Sequence, residues 1–180
     1  MDHRSFFRKA LFEAFRSPDP STQNGAVIVA TDTRTGQPTV VGRGANEFPH
    51  MVRITEERLE RPLKYSFIEH AERNAIFDYL DHLKMMGNER EHGPLHMYAL
   101  WAACSDCARA IIQAGVHTVH THSFYTGGVD PTGQDRKDWG ESIRASMDMF
   151  AEANVEVVFH DMKIMEEGES LLFNSEYVTY

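Results

Sequence analysis

Apolar positions along the chain repeat with two periods, and the switching between them predicts an α/β arrangement. From Ser5 to Phe15, the residues Phe6, Phe7, Ala10, Leu11, Ala14 and Phe15 fall at helical spacing. Ser17-Pro18-Asp19-Pro20 ends that helix, because proline restricts its predecessor and cannot continue a helix. Gly25 to Ala30 is a continuous apolar run of the kind a buried strand carries. Thr39 to Ala45 follows across a polar turn containing Gly36, so the two strands predict a hairpin. Asn46 to Lys64, interrupted by Pro49 and Pro62, reads as a long irregular stretch, a length often given over to function. Tyr65 to Met86 reads as a helix with Ile68, Ala71, Ala75, Ile76, Tyr79, Leu80 and Leu83 as its stripe. The pattern then predicts a strand at Leu95–Trp101, a helix at Ser105–Ala114 stopped by Gly115, and a strand at Val116–His122. After an irregular Ser123–Gly140 come a helix at Glu141–Ala153 and a strand at Val155–Phe159. This alternation implies parallel neighbours in one sheet. Residues 161–180 are acidic and weakly patterned, and read as an extension of a single domain spanning 1–180.

A length of 180 residues suits one core, and the 42% apolar and 25% charged content is that of an ordinary globular chain. The formal charge of −9 disfavours binding to nucleic acid, whose phosphates an acidic surface repels. A mononucleotide needs only a few local cations and stays open. No apolar run approaches the ~18 residues of a membrane span, and Met1 to Phe6 lacks a signal-peptide layout. The expectation is a cytoplasmic protein with no membrane partner.

Two cysteines change this picture. Cys104 and Cys107 cannot build a disulfide scaffold, and in a reducing compartment a C-x-x-C pair points to metal or redox chemistry. His70-Ala71-Glu72 lies early in one predicted helix, and Cys104-Ser105-Asp106-Cys107 starts another. Zinc takes nitrogen from histidine and thiolate from cysteine, and a catalytic zinc site uses three protein ligands and keeps a fourth position open. His70, Cys104 and Cys107 supply that count. The two sulfurs lie about one helical turn apart, within reach of one ion. Two thiolates and a neutral imidazole cancel the zinc charge, so a nearby base is useful, and Glu72 is placed to serve. With no third cysteine, a four-ligand structural site would need another histidine. The order His-x-Glu followed by Cys-x-x-Cys is the signature of zinc deaminases, with the glutamate moving protons instead of binding metal.

At these residues the chain resembles the deoxycytidylate branch of the cytidine deaminase superfamily. The resemblance extends to Asp19-Pro20-Ser21-Thr22-Gln23-Asn24-Gly25-Ala26, to Gly42 through Pro49, to His70 through Ile76, and to Ala108 through Gly115. It implies a three-layer α/β/α fold around a five-stranded mixed sheet. It also implies hydrolysis of dCMP to dUMP with zinc as cofactor. Asn46 is then expected on the sugar hydroxyl and the Ala71 backbone on the base. A homo-oligomer, a hexamer, responding to dCTP and dTTP effectors is implied by resemblance alone. Ala103 stands where the family usually has proline, and Asn24 where an apolar residue is usual. The first change predicts a slightly looser entry to the cysteine helix.

A monophosphate needs cations. The candidates are Arg43, Arg61, Lys64 and Lys137, with solvated surface charge as the plain alternative. Trp101 and Tyr125, ahead of Phe124 and Trp139, are candidates to stack on the base, although buried aromatics usually fill core. His117, His120 and His122 look like a metal patch at first sight. With no cysteine or carboxylate nearby they read instead as strand histidines. Deoxycytidine, cytidine, guanine and tRNA adenosine are the rival substrates, the last disfavoured by the charge. A non-catalytic nucleotide-binding protein is the rival class.

Overall fold

The computed structural model describes residues 1–85, 92–122 and 140–179. The run Gly25–Ala30 reads as buried for a structural reason: it is part of the strand flanked on both edges and covered on both faces. This strand, β1 (Gly25–Asp32), pairs antiparallel with β2 (Pro38–Ala45) and with β3 (His92–Ala99). β3 then pairs parallel with β4 (Val116–His122), and β4 parallel with β5 (Glu156–His160), giving the order β2-β1-β3-β4-β5. Alternation along β1 divides the core. Ala26, Ile28 and Ala30 enter one cluster, Val27 and Val29 the other.

The first cluster lies under α3 (Ala71–Met85), α4 (Ser105–Gln113) and α5 (Gly140–Glu152), through Ala75, Ile76, Ile111 and Phe150. The second lies under α1 (His3–Ala14), through Phe6, Phe7, Ala10, Leu11 and Ala14. The expected three-layer α/β/α architecture around a five-stranded mixed sheet is therefore what the chain adopts. Gly44 lets α3 close onto β2: a methyl group there would overlap the Ala71 carbonyl in the first turn of α3.

Three expectations differ. First, α3 begins at Ala71, not at Tyr65. Glu69 exchanges two backbone hydrogen bonds with Glu47, at 2.9 and 3.1 Å, which holds the preceding chain extended. Second, the irregular Asn46–Lys64 stretch holds a short helix α2 (Glu56–Leu59) and runs into a 3₁₀ turn at Leu63–Ser66. Third, residues 161–179 are not an appendage. Ile164, Met165 and Leu171 are buried in the α1 cluster, and β6 (Leu171–Phe173) and β7 (Glu176–Val178) form a hairpin. Asn174 and Ser175 turn it with φ of 54° and 71°, the left-handed pair of a type I′ turn. Arg8 of α1 fastens this segment by a bidentate ion pair with Glu169. Among the described residues, no helix is long and apolar enough to cross a membrane.

Candidate functional site

Two helix starts meet on the α3–α4 face. His70 immediately precedes α3, and Glu72 is its second residue. Cys104 is the N-cap of α4, with extended backbone, and Cys107 is its third helical residue. His70 Nδ1 lies 3.5 Å from both sulfurs, and the three ligand atoms lie within 4.8 Å of one another. Glu72 is 2% exposed, with Oε2 3.5 Å from Cys107 Sγ, beside this trio and outside it.

Electrostatics at the trio favour metal ligation. Cys104 is pulled down to about 4, first by the hydrogen bond from Cys107 and then by His70, against the opposing effect of burial. Cys107 moves the opposite way, raised first by its hydrogen bond to Cys104 and then by burial and the negative charges of Glu72 and Cys104. Burial opposes charge on His70, yet Cys104, Glu72 and Glu69 together raise it to about 9. Burial raises Glu72, with the negative Cys104 adding to the effect and His70 opposing it. A thiolate held against an imidazolium is what a soft divalent cation displaces protons from, and the donor set fits zinc. The upward shift of Glu72 strengthens its hold on a proton, the direction a proton-transfer group needs.

Neighbouring residues hold the two helix starts in place. Asn46 follows β2, and its Oδ1 accepts from the Ala71 N–H at 3.0 Å while its Nδ2 donates to the Thr22 carbonyl at 3.0 Å. It thus caps α3 from 25 residues away. The two residues expected on the substrate, Asn46 and the Ala71 backbone, are bonded to each other. Around Cys104, Ser146 of α5 is fully buried and donates to the Ala103 carbonyl at 2.8 Å. Ser142 Oγ accepts from the Ser105 N–H at 2.9 Å. The looser loop expected from Ala103 is therefore countered by side chains of α5.

A pocket opens in front of the trio, lined by His70, Glu72, Cys104, Asn46, Asn24 and Trp101 among others. Lys64 is in its wall but 3% exposed, donating to both Asp19 oxygens at 2.8 Å and to Ser21 Oγ. Its charge is balanced by Asp19, so it lines the pocket as an ion-paired side chain and not as a free cation. Removing either partner would leave a buried charge, a loss of about 3–5 kcal/mol. Arg43 is not at this pocket. It lies on β2 with its guanidinium 3.6 Å from Glu13, lining a separate depression with Phe77 and Asp78. Arg61 is at the pocket, donating to Asn174 Oδ1 at 2.7 Å and more weakly to Ser21 Oγ at 3.4 Å. Tyr125, Phe124, Trp139 and Lys137 lie outside the described residues.

Phe173 and Asn174 also line the pocket, and sequence reasoning missed both. Phe173 packs on Trp101 with ring centroids 4.3 Å apart. The hairpin docks on the chain before β1, through Gln23 N–H to the Leu172 carbonyl at 2.8 Å and Ser175 N–H to the Ser21 carbonyl at 2.8 Å. The Asn-Ser pair between short apolar runs was the available signal.

A family model described as the cytidine and deoxycytidylate deaminase zinc-binding region matches residues 1–123. An uncharacterized deaminase in the luxG 3'region of Aliivibrio fischeri is 32% identical over 163 residues, covering 91% of this chain and 96% of that protein. Deoxycytidylate deaminase of Mus musculus is 35% identical over 122 residues, and the match spans 63% of this chain and only 60% of the mouse protein. A crystal structure of dCMP deaminase from cyanophage S-TIM5, in complex with dCMP and dUMP, superposes with a TM-score of 0.57. That match has 19% identity and covers 87% of this chain and 94% of the phage protein, a likeness of fold.

Proposed function

The chain belongs to the cytidine and deoxycytidylate deaminase family of zinc-dependent hydrolases, and from that premise we propose that it converts dCMP and water to dUMP and ammonia. The observation that carries the choice of substrate is Arg61. It is exposed at the pocket and its hydrogen-bond partners, Asn174 and Ser21, are uncharged. Among the described residues no carboxylate pairs with it, so its charge is available to a 5′-phosphate. Two relatives named for dCMP point the same way.

His70, Cys104 and Cys107 would hold the zinc, which supplies Lewis acidity that makes water nucleophilic near neutral pH. Glu72 would accept a proton from the attacking water at a carboxylate oxygen and pass it to ring N3 as the C4–O bond forms. The remaining hydroxyl proton then goes through Glu72 to the amine, the C4–N bond breaks, and ammonia leaves with Glu72 as it began. Burial of Glu72 keeps bulk water from competing for these protons. Trp101 and Phe173 form an apolar wall suited to the base. Asn46 keeps a second amide hydrogen, beyond the one on Thr22, for the sugar hydroxyl. By the same family reading, the enzyme assembles as a hexamer that responds to dCTP and dTTP, which sedimentation with and without each nucleotide would check.

One observation favours a nucleoside substrate instead. Lys64, the most deeply placed cation of the pocket wall, is already neutralised by Asp19. Ammonia release from dCMP and deoxycytidine, by the wild type and by Arg61→Ala, separates the two readings. A charged hydrogen bond contributes ~1.5–3 kcal/mol, and exposure brings Arg61 to the lower end, about tenfold in KM for dCMP. Deoxycytidine turnover should not change. Equal use of both substrates, with no effect of Arg61→Ala, would discard the monophosphate.

A further inference from the structure

On the face of the sheet opposite the catalytic trio, three elements bring histidines together beneath the start of α1. His3 comes from α1, His120 from the middle of β4, and His160 from the end of the edge strand β5. One ligand atom from each lies within 4.8 Å of the others. His120 Nδ1 is 2.9 Å from His160 Nε2, and the His3 ring lies 4.9 Å from the His120 ring and 4.7 Å from the His160 ring, centroid to centroid. We infer that His3, His120 and His160 form a second site for a zinc-class divalent cation, separate from the catalytic one.

Several features support it. Two imidazoles bound to one tetrahedral ion at 2.0–2.1 Å place their nitrogens ~3.3 Å apart, so the His120–His160 pair needs to open by only a few tenths of an ångström. Three neutral imidazoles are a sufficient set for zinc, with a fourth position left to water. The rings also have outer partners that would fix their tautomers. His96 Nδ1 is 3.2 Å from His120 Nε2, and the Tyr98 hydroxyl is 2.9 Å from His3 Nδ1. His120 is buried, while His3 and His160 are partly exposed and give an ion a way in. The other two histidines of β4 take no part: His117 Nδ1 accepts from the Leu95 N–H at 3.2 Å, and His122 Nε2 lies 2.8 Å from the Met162 carbonyl. Of the three β4 histidines that the sequence reading set aside as a metal patch, only His120 enters this cluster. An ion here would tie α1 to β4 and β5.

The test uses zinc-loaded, active protein equilibrated with excess Co²⁺ and then gel-filtered, with metal content measured per chain. The expected result is a second metal equivalent in the wild type, with visible cobalt bands that lack thiolate charge transfer. His3→Ala and His160→Gln should each lose that equivalent while keeping the catalytic zinc and wild-type deamination, since neither residue is in the catalytic pocket. Both positions are partly exposed, so neither variant is expected to unfold the chain, and circular dichroism confirms it. Absence of a second equivalent in the wild type would overturn the site and leave a hydrogen-bonded histidine chain. Its retention in either variant would overturn the ligand assignment.

Discussion

Replacing Asn46 by alanine should damage stability and catalysis together, because this side chain links three segments that meet at the catalytic site. Its Oδ1 is the partner of the Ala71 N–H, and its Nδ2 is a partner of the Thr22 carbonyl. Alanine leaves the buried Ala71 N–H without an acceptor, at about 1–3 kcal/mol, and the part-buried Thr22 carbonyl with one bond fewer, at about 0.5–1.5 kcal/mol. The sum is roughly 1.5–4.5 kcal/mol, a sizeable part of the ~5–15 kcal/mol that holds a domain together. Urea denaturation of wild type and variant measures it. Since the capped turn of α3 carries Glu72 and follows His70, kcat should fall for dCMP and for any poor alternative substrate alike. Asn46→Asp keeps the acceptor for Ala71 and loses the donor to Thr22, so it should recover part of the stability. A stability change below ~0.5 kcal/mol in Asn46→Ala, with only KM affected, would refute the capping argument and leave Asn46 as a sugar contact alone.

Glu72→Gln should retain zinc and lose ~10²–10⁴-fold in kcat, the range for a positioned proton-transfer group, while chelation of the wild type should abolish turnover reversibly; near-wild-type turnover of the metal-loaded variant would exclude the proton shuttle. Ser146→Ala removes a fully buried donor from the Ala103 carbonyl and should cost about 1–3 kcal/mol in chemical denaturation, with weaker zinc retention under chelator challenge. Unchanged zinc off-rates would show that α5 does not steady Cys104. The Arg8–Glu169 pair sets a pH dependence. Glu169 is lowered from its ordinary range, chiefly by the Arg8 hydrogen bond. A depressed carboxyl stabilises the fold above its unfolded pKa of ~4.3 and loses that contribution as the pH falls through the folded value. Glu169→Gln should therefore melt below wild type at pH 7, with the gap closing under acid; a gap that stays constant to pH 3 would assign the effect to packing.

Local chemistry made much of this protein legible from its residues. Histidine, glutamate and two cysteines carry their ligand and proton chemistry wherever they stand, and their spacing within a helical turn is set by helix geometry. The apolar run of β1 marks a strand covered on both faces, and the period of α1 marks its buried stripe. Distance along the chain hid the rest. The helical stripe reaching back to Ile68 was overruled because Glu47, two residues beyond β2, takes Glu69 into an isolated bridge. Lys64 looked like a free cation until folding brought Asp19 to it from 45 residues away. Phe173 and Asn174 reached the pocket only because the last hairpin docks on residues 21–23. The His3, His120 and His160 cluster needs one helix and two strands assembled before it exists. Identity and period act over a few residues and can be read in one dimension. Which charge is neutralised, which helix start is capped and which histidines share a centre are set by burial and by pairings that only the closed sheet and its layers bring within a few ångströms.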